Sequence, residues 1–383
     1  KSSAMGSCIS CKGYCSTGCY YPPNNNATLI LRVNMPEMFC QSRFFGELDD
    51  QPVTHYTLRN SNGMSISVIN YGATLVSVCV PNSHGTLHEL TLGFDHLEEY
   101  LASNFYFGAT IGRVANRIDN AHFSYQKQDY FLSKNKGYSH HLHGGEKGLD
   151  KVLWQTEVAI QGDKASVEFS YLSPDGDQGY PGNLEIKTTY SLTLANELKI
   201  SFQAKTDQIT PVDLTNHAYW NLAGAGCGTV LDHVLQIFAD HYVLTDKELL
   251  STGQIAAVES TPYDFREPHH LGERLNDIPI GGYDVCFVLP VMTNRNPRFV
   301  AQIKEPISGR ILEIYTTQPG LQFYTGNSLK DHPISSGFFT QRYGGFCMET
   351  QNFPGAVNYS QFPSPFLLPG DLYQHETIYR LIW

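Results

Sequence analysis

The sequence is poor in charge, and above all in positive charge. Only 16% of its 383 residues are charged, and 26 Lys and Arg face 37 Asp and Glu, which leaves a formal net charge of -11. Because nucleic acids and anionic membranes attract cationic surfaces, we expect neither as a partner. No run of about 18 apolar residues or apolar secretion signal occurs, so we also expect a cytoplasmic protein without a membrane-spanning helix.

The nine cysteines are unevenly distributed. Five are scattered through the chain, mostly in apolar stretches, and are typical of small buried side chains in a reducing compartment. The other four crowd the first twenty residues, at Cys8, Cys11, Cys15 and Cys19. Their spacing lacks the two separated pairs of a strong metal motif. We therefore expect residues 1–42 to be a disordered or non-native tail, with a small metal site as the alternative.

Long helices are also missing from the sequence pattern. The chain has 33 Gly, 20 Pro, 23 Tyr and 21 Phe, a composition that favours many strands joined by turns. Residues 184–194 alternate between apolar and polar side chains, and Asn62-Gly63 is typical of a hairpin turn. Only residues 96–101 and 248–250 look helical. We expect residues 43–383 to form one large β-rich domain.

Residues 210–222, TPVDLTNHAYWNL, combine a strand pattern with chemistry. The alternation predicts that Asp213, Thr215 and His217 point to the same face. A histidine on a polar face beside aromatic residues suits proton transfer to a hydroxylated ligand. A buried structural histidine is the alternative, and this stretch alone favours it.

Four further clusters of polar residues stand out. Residues 112–118 present Arg113 and Arg117, whose planar groups suit hydroxyls or carboxylates, although a surface salt bridge would use them equally well. Residues 140–145 hold three histidines before two glycines, which would let the backbone approach a ligand closely. The alternative for this cluster is an ordinary histidine-rich loop. Asp284 lies at the start of an apolar run and is a candidate site residue, with an ordinary turn carboxylate as the alternative. Glu349 lies inside an apolar strand, where an unpaired carboxylate is costly, so we expect a function for it.

Together these clusters resemble the aldose 1-epimerases, also called galactose mutarotases. The matching segments occur in the family's order and extend from about residue 46 to residue 381. They are residues 70–73 (NYGA), 92–95 (LGFD), 112–118 (GRVANRI), 142–145 (LHGG), 210–224, 318–327 (QPGLQFYTGN) and 349–354 (ETQNFP). The resemblance implies an all-β fold, a large antiparallel β-supersandwich, with a cofactor-free and metal-free cleft for a small aldose such as a hexose.

The resemblance also implies roles for individual residues. The general base falls on Glu349 and the general acid on His217, which acidic neighbours would keep protonated. The expected sugar-binding residues are Asn116, Arg117, His143, Asp284 and Gln318. Three positions depart from the family pattern, namely Val285, Gly355 and the pair His140-His141.

The implied reaction moves protons to and from a sugar without any redox step. Trp220 or Phe353 could stack on a sugar face, and core packing is the alternative for each. We expect a monomer or weak dimer. Two other functions stay open: a non-catalytic carbohydrate-binding protein, and a glycoside hydrolase that uses Asp284 and Glu349 as its carboxylate pair.

Overall fold

The computed structural model describes residues 38–291 and 296–383 and contains thirty strands in this part of the chain. The strands are β1 Met38–Leu48, β2 Gln51–Asn60, β3 Ser65–Ile69, β4 Thr74–Pro81, β5 Leu87–Glu89, β6 Thr110–Ile111, β7 Arg117–Ile118, β8 His122–Tyr125, β9 Gln128–Phe131, β10 His141–Leu142, β11 Gln155–Gln161, β12 Lys164–Ser173, β13 Leu184–Thr193, β14 Glu197–Thr206, β15 Thr210–Pro211, β16 Thr215–Asn216, β17 Tyr219–Trp220, β18 Val234–Ile237, β19 His241–Thr245, β20 Ser251–Ala257, β21 His269–His270, β22 Asp284–Val288, β23 Arg298–Lys304, β24 Ile311–Thr316, β25 Gly320–Tyr324, β26 His332–Pro333, β27 Phe339–Thr340, β28 Phe346–Gln351, β29 Phe366–Leu367 and β30 Tyr373–Ile382.

Three large antiparallel sheets carry the architecture. The first has the strand order β1-β2-β3-β4-β5, the second β11-β12-β13-β14-β30-β24-β23-β18-β21, and the third β17-β28-β25-β22-β19-β20. Five two-stranded sheets connect them: β6 with β16, β7 with β10, β8 with β9, β15 with β29 and β26 with β27. This arrangement confirms the predicted all-β fold.

Alternation of side chains explains how the largest sheet covers the core. Along β13, Leu184, Ile186 and Tyr190 are buried, whereas Glu185 and Lys187 are exposed, as the period of two predicted. The buried residues pack into a core shared with the other two large sheets. Strand β28 differs, because all six of its residues are buried between β17 and β25. Any polar side chain on β28 therefore needs a partner or a function.

Helices are short in the described part of the chain. The only α-helix there, α1, spans Leu97–Ala102 and matches the prediction for residues 96–101. Six single turns of 3-10 helix cover Asp119–Ala121, Leu149–Lys151, Asp177–Gly179, Leu275–Asp277, Ser335–Gly337 and Ala356–Asn358. No helix within the described ranges is long and apolar enough to cross a membrane.

Two local predictions have different outcomes. The hairpin predicted at Asn62-Gly63 is confirmed, since this turn joins β2 to β3. The helix predicted at residues 248–250 is wrong. That segment is a turn in which the Asp246 carboxylate accepts hydrogen bonds from the backbone N–H groups of Glu248 and Leu250. A side chain that binds nearby backbone N–H groups competes with helix formation.

The first strand crosses the expected domain boundary. Met38 to Ser42 pair with β2, so these five residues belong to the first sheet, although we expected them in the N-terminal tail. The four clustered cysteines, and the prediction made for them, lie outside the described residues.

Candidate active site

A cavity of about 380 Å³ opens beside the third sheet and brings six of the predicted residues together. Its walls come from the ends of β7, β10 and β16 on one side and from β22, β25 and β28 on the other. The six predicted residues that line it are Asn116, Arg117, His143, His217, Asp284 and Glu349. Asn116 and Glu349, which are 233 positions apart in the chain, therefore share one cleft.

Three neighbouring strands present polar side chains to this cleft. Asp284 begins β22, Gln322 lies in β25 and Glu349 lies in β28, and the strand register places Gln322 directly opposite Glu349. The Gln322 amide donates a hydrogen bond of 2.6 Å from Nε2 to Asp284 Oδ1. Glu349 is only 2% exposed, and its Oε2 has no hydrogen-bond partner among the described residues. The third sheet thus holds a buried carboxyl group with one oxygen available to a ligand.

The backbone holds His217 in place between two short strands. Its N–H donates to Ala109 and its carbonyl accepts from Gly108, both at 3.0 Å. Gly108 has a φ of 63°, and a Cβ there would lie 1.8 Å from the Leu75 carbonyl oxygen, so only glycine fits. Residues 210–220 are not one regular strand but β15, β16 and β17. The predicted common face is therefore wrong, because Asp213 lines a different cavity from His217.

His217 and Glu349 form a buried pair. His217 Nε2 lies 3.7 Å from Glu349 Oε1, and His217 Nδ1 lies 3.6 Å from the sulfur of Cys347. Burial lowers the pKa of His217 to about 4. Burial, followed by the nearby charge of Asp284, raises the pKa of Glu349 well above its usual range. The expectation that acidic neighbours keep His217 protonated is therefore wrong for the free protein, because burial dominates its pKa.

His143 is held in one tautomer. The backbone N–H of Asn116 donates to His143 Nδ1 over 3.2 Å, so that nitrogen keeps its lone pair. Burial lowers the pKa of His143 well below 6.5, which makes the ring neutral and places its proton on Nε2. His143 can therefore donate a hydrogen bond from Nε2 to an oxygen in the cleft.

His143, His217 and Glu349 also form a group that could hold a metal ion, because one ligand atom of each lies within 4.8 Å of the others. Two histidines and a glutamate are a known zinc-binding set. The hydrogen bond from Asn116 argues against that use. A metal on His143 Nε2 would need the proton on Nδ1, where the Asn116 N–H already points. The residues therefore fit a hydrogen-bond donor better than a metal ligand.

Arg117 faces the cleft and Arg113 does not. Arg117 Nη2 lies 3.3 Å from Asp284 Oδ2, and Asp284 raises the pKa of Arg117 against the effect of burial. Asn116 supports this arrangement, since its Oδ1 accepts from the Arg117 backbone N–H at 2.9 Å. Arg113 is buried elsewhere and donates to the side chain and carbonyl oxygen of Ser173. Of the two predicted arginines, only Arg117 can contact a ligand in this cavity.

Comparison with known proteins assigns the chain to a family. The sequence profile described as "Aldose 1-epimerase" matches residues 54–380. The chain belongs to the aldose 1-epimerase family. It is 44% identical to galactose mutarotase of Rattus norvegicus over 340 residues, which cover 88% of this chain and 96% of the rat protein. It is 36% identical to aldose 1-epimerase of Escherichia coli, over 87% of this chain and 96% of that one.

A solved structure agrees with the family assignment. The aldose epimerase homologue from C. elegans superimposes with a TM-score of 0.76 at 32% identity, covering 84% of this chain and 96% of that chain. The family resemblance found from the sequence motifs is thereby confirmed, together with the mutarotase-like fold.

One residue carried over from the family pattern lies outside the cleft. Gln318 does not line the cavity that holds His217, because its buried amide donates to the Tyr373 hydroxyl at 3.1 Å and to the Leu214 carbonyl at 3.4 Å. Gln322, four residues later in the same motif, lines the cavity instead. Both glutamines fit the motif, and only the pairing of β25 with β28 distinguishes them.

Aromatic residues line the cleft, but not the two that were predicted. Trp220 is fully buried and packs on Tyr379 at a ring-centroid distance of 5.4 Å, and Phe353 packs on Phe362 at 5.3 Å. Core packing, the alternative for both, is therefore correct. Tyr106 takes the position at the cleft, with its ring 5.0 Å from His143 and 5.7 Å from His217.

Proposed function

We propose that the protein is an aldose 1-epimerase, or mutarotase, which interconverts the α and β anomers of hexoses such as galactose and glucose. The observation that supports this most directly is the pair His217 and Glu349. The two side chains lie 3.7 Å apart, are both buried and both line the same cavity. Mutarotation needs one group to take a proton and one to deliver a proton across a single sugar ring, and this pair provides both.

In the proposed mechanism, Glu349 as carboxylate takes the proton from the anomeric hydroxyl. The C1–O1 bond becomes a carbonyl, the C1–O5 bond breaks, and O5 receives the proton from His217 Nε2. The open-chain aldehyde rotates about its C1–C2 bond. The reverse proton transfers then close the ring on the other face of the carbonyl, which yields the other anomer and restores both residues.

The pair needs only one shared proton for this cycle. The pKa shifts place it on Glu349 in the free protein, since burial opposes the charged forms of both residues. Once a sugar is bound, transfer of this proton from Glu349 to His217 creates the carboxylate base and the imidazolium acid. Arg117 and Asp284 are then available to hydroxyls at the rim, and His143 Nε2–H can donate to the ring oxygen or to a neighbouring hydroxyl.

The geometry supports the two alternative functions less well. A carbohydrate-binding protein would have no use for a buried acid–base pair that disfavours its own charged forms. A glycoside hydrolase would need Asp284 as a second reactive carboxylate. Asp284 accepts from Gln322 and is ion-paired with Arg117, contacts that suit a fixed acceptor for a sugar hydroxyl better than a reactive carboxylate.

We further propose that the catalytic domain comprises the expected residues 43–383 together with residues 38–42 of β1, which pair in its first sheet. We also propose that the enzyme works in the cytoplasm as a monomer or weak dimer, on a small aldose alone. The net charge of -11 supports the absence of a nucleic acid or anionic membrane partner. Light scattering at several protein concentrations checks the oligomeric state. A concentration-independent mass of two or more chains would contradict this part of the proposal.

Polarimetry tests the activity directly. Fresh α-D-galactose and α-D-glucose change optical rotation as they equilibrate, and the native protein should accelerate that change. Glu349→Gln should lower kcat by about 10²–10⁴, the usual contribution of a general acid or base, and His217→Asn should have a similar effect. Glu185→Gln is the matched control, because this exposed residue of β13 lies outside the cleft.

Each alternative has its own outcome. Bound sugar with an unchanged rate of equilibration would indicate a carbohydrate-binding protein. Release of reducing sugar from a glycoside would indicate a hydrolase. Equal activity of Glu349→Gln and the native enzyme would remove Glu349 from the mechanism.

A further inference from the structure

A second cavity, of about 830 Å³, is lined by Val212 and Asp213, at the start of the segment that carries His217. It shares none of its lining residues with the cleft that holds His217 and Glu349. Its polar lining includes Asp213, Gln318, Asn352 and Tyr373. Asp213 precedes His217 by only four residues, so this one short segment lines both cavities.

The buried position of Asp213 is unfavourable for a charged carboxylate. It is 3% exposed, and within the described part of the chain its side chain accepts one hydrogen bond, from the Asn352 backbone N–H to Oδ1 at 2.9 Å. An asparagine would accept that bond without the cost of a buried charge. Burial raises the pKa of Asp213 to about 7, because removal from water disfavours the ionised carboxylate. The second oxygen, Oδ2, is the part of this carboxyl group left for another partner.

Tyr373 and Gln318 add complementary groups to the same cavity. The Tyr373 hydroxyl oxygen accepts from the Leu214 backbone N–H at 3.0 Å and from Gln318 Nε2 at 3.1 Å. Its own hydrogen has no acceptor among residues 38–291 and 296–383. Gln318 is 2% exposed, and its Oε1 accepts no hydrogen bond from the described residues. The cavity therefore offers one donor and two acceptors, the set that a pair of hydroxyl groups requires.

The remaining walls combine apolar and polar residues. The apolar ones include Pro319, Pro365, Phe366 and Leu367, and the polar ones include Thr317, Asp371, Gln374 and Glu376. Flat apolar walls with a few fixed polar groups are typical of small-molecule sites. The imidazole of His375 adds no positive charge, because burial lowers its pKa to about 4. The cavity thus presents no Lys or Arg to an anionic ligand, and within the described part of the chain its carboxylates do not come together as a set that could hold a metal ion.

We propose that this cavity is a second, non-catalytic binding site for a neutral monosaccharide, held by Asp213, Gln318 and Tyr373. Asp213 accepts hydrogen bonds from sugar hydroxyls, and the Tyr373 O–H donates to one. The site does not depend on the proposed function, since binding there requires no chemistry. It lies close enough to the acid–base pair that the charge of Asp213 contributes to the raised pKa of Glu349.

Methyl-group NMR can observe the two cavities separately. Leu142, Leu249 and Leu329 line the catalytic cleft, whereas Leu367 and Leu372 line the second cavity. The full-length protein, with labelled leucine methyl groups, is titrated with methyl β-D-galactopyranoside and with methyl β-D-glucopyranoside. These glycosides cannot open their rings, so no anomer mixture forms. We expect the signals of Leu367 and Leu372 to shift with their own half-saturation concentration, distinct from that of the cleft signals.

Two variants test the proposed contacts. Asp213→Asn keeps the acceptor for Asn352 but loses the charge, and we expect binding at the second site to weaken about tenfold. Gln318→Met keeps the side-chain length and should weaken it by about threefold to tenfold. Glu185→Gln is the control for the loss of one negative charge. Thermal unfolding of each variant confirms that the fold is intact.

Several results would overturn the proposal. One is a titration in which Leu367 and Leu372 do not move, whether or not the cleft signals move. A second is a half-saturation concentration, read from these two methyl signals, that is the same in Asp213→Asn as in the native protein. A third is tighter binding of the small cation methylammonium than of either glycoside, which would indicate a cation site instead of a sugar site. Polarimetry judges the catalytic function independently, so failure of one proposal leaves the other measurable.

Discussion

The acidic limb of the pH–activity profile tests the acid–base pair most sharply. Burial lowers the pKa of His217 to about 4 and raises that of Glu349 well above its usual value. Between these two pKa values the pair holds the single proton that the cycle needs. Below the pKa of His217 a second proton arrives, and no base remains for the anomeric hydroxyl. Because the His217 pKa is lowered, kcat/KM should fall only as the pH drops through about 4.

The size of the effect follows from the shift. With a pKa of about 4, roughly 90% of the free enzyme would be in the singly protonated form at pH 5. With an unshifted histidine pKa of about 6.5, only about 3% would be active at that pH. The two cases therefore differ by about thirtyfold in kcat/KM at pH 5, which is far beyond the error of a polarimetric rate.

The assay measures the equilibration of α-D-galactose by polarimetry from pH 3.5 to pH 9, where about half-unit steps resolve a single titration. Substrate stays below KM, so the profile reports the free enzyme, and the enzyme-free rate is subtracted at each pH. Circular dichroism at each pH verifies that the fold persists, because Asp150 and Asp213 are also buried carboxyl groups. A limb centred near pH 6.5 would refute the argument that desolvation dominates at His217.

Three further predictions concern the rim, the second histidine and the core. Arg117→Met removes the ion-pair partner of Asp284 and should lower kcat/KM by about 10²-fold, and adding Asp284→Asn should restore part of it, as a double-mutant cycle in polarimetry will show. His143→Gln keeps an N–H donor and should reduce kcat only about tenfold, and a loss above about 10³-fold would instead assign it a proton-transfer role. Phe323→Ala, in the fully buried core, should lower the free energy of unfolding in urea by about 3–5 kcal/mol. Phe131→Ala is its control, because that ring is 74% exposed and should change stability by less than about 0.5 kcal/mol. A larger loss for Phe131 than for Phe323 would contradict the assignment of the core.

The sequence alone was sufficient for the properties that depend on local order. Alternation predicts which side chains are buried along the first part of β13, up to Tyr190, because a strand has two faces and a period of two, whereas Ser191 is buried against that pattern. Asn62-Gly63 predicts its hairpin because these residues accept the backbone angles of a tight turn. The apolar strand around Glu349 predicts a function for this residue, since burying an unpaired carboxylate is otherwise too costly, and the structure places it in the cleft.

The tertiary structure decided everything that depends on distant partners. Two arginines and two glutamines fit the same motifs, and only strand pairing places Arg117 and Gln322 in the cleft while Arg113 and Gln318 lie elsewhere. Two breaks in residues 210–220, at residues 212–214 and 217–218, turn Asp213 away from His217, although simple alternation gives them a common face. These choices arise from contacts between segments far apart in the chain, which no local pattern contains.

The direction of the His217 pKa shift is the clearest case. The family resemblance predicts that Glu349 and Asp284 lie near His217, and acidic charges by themselves would raise its pKa. The structure shows how completely the imidazole is removed from water, and that desolvation lowers the pKa to about 4 instead. Sequence motifs predict which types of residue occur in the site. Burial depends on how the whole chain packs, and here burial determines the protonation state of His217.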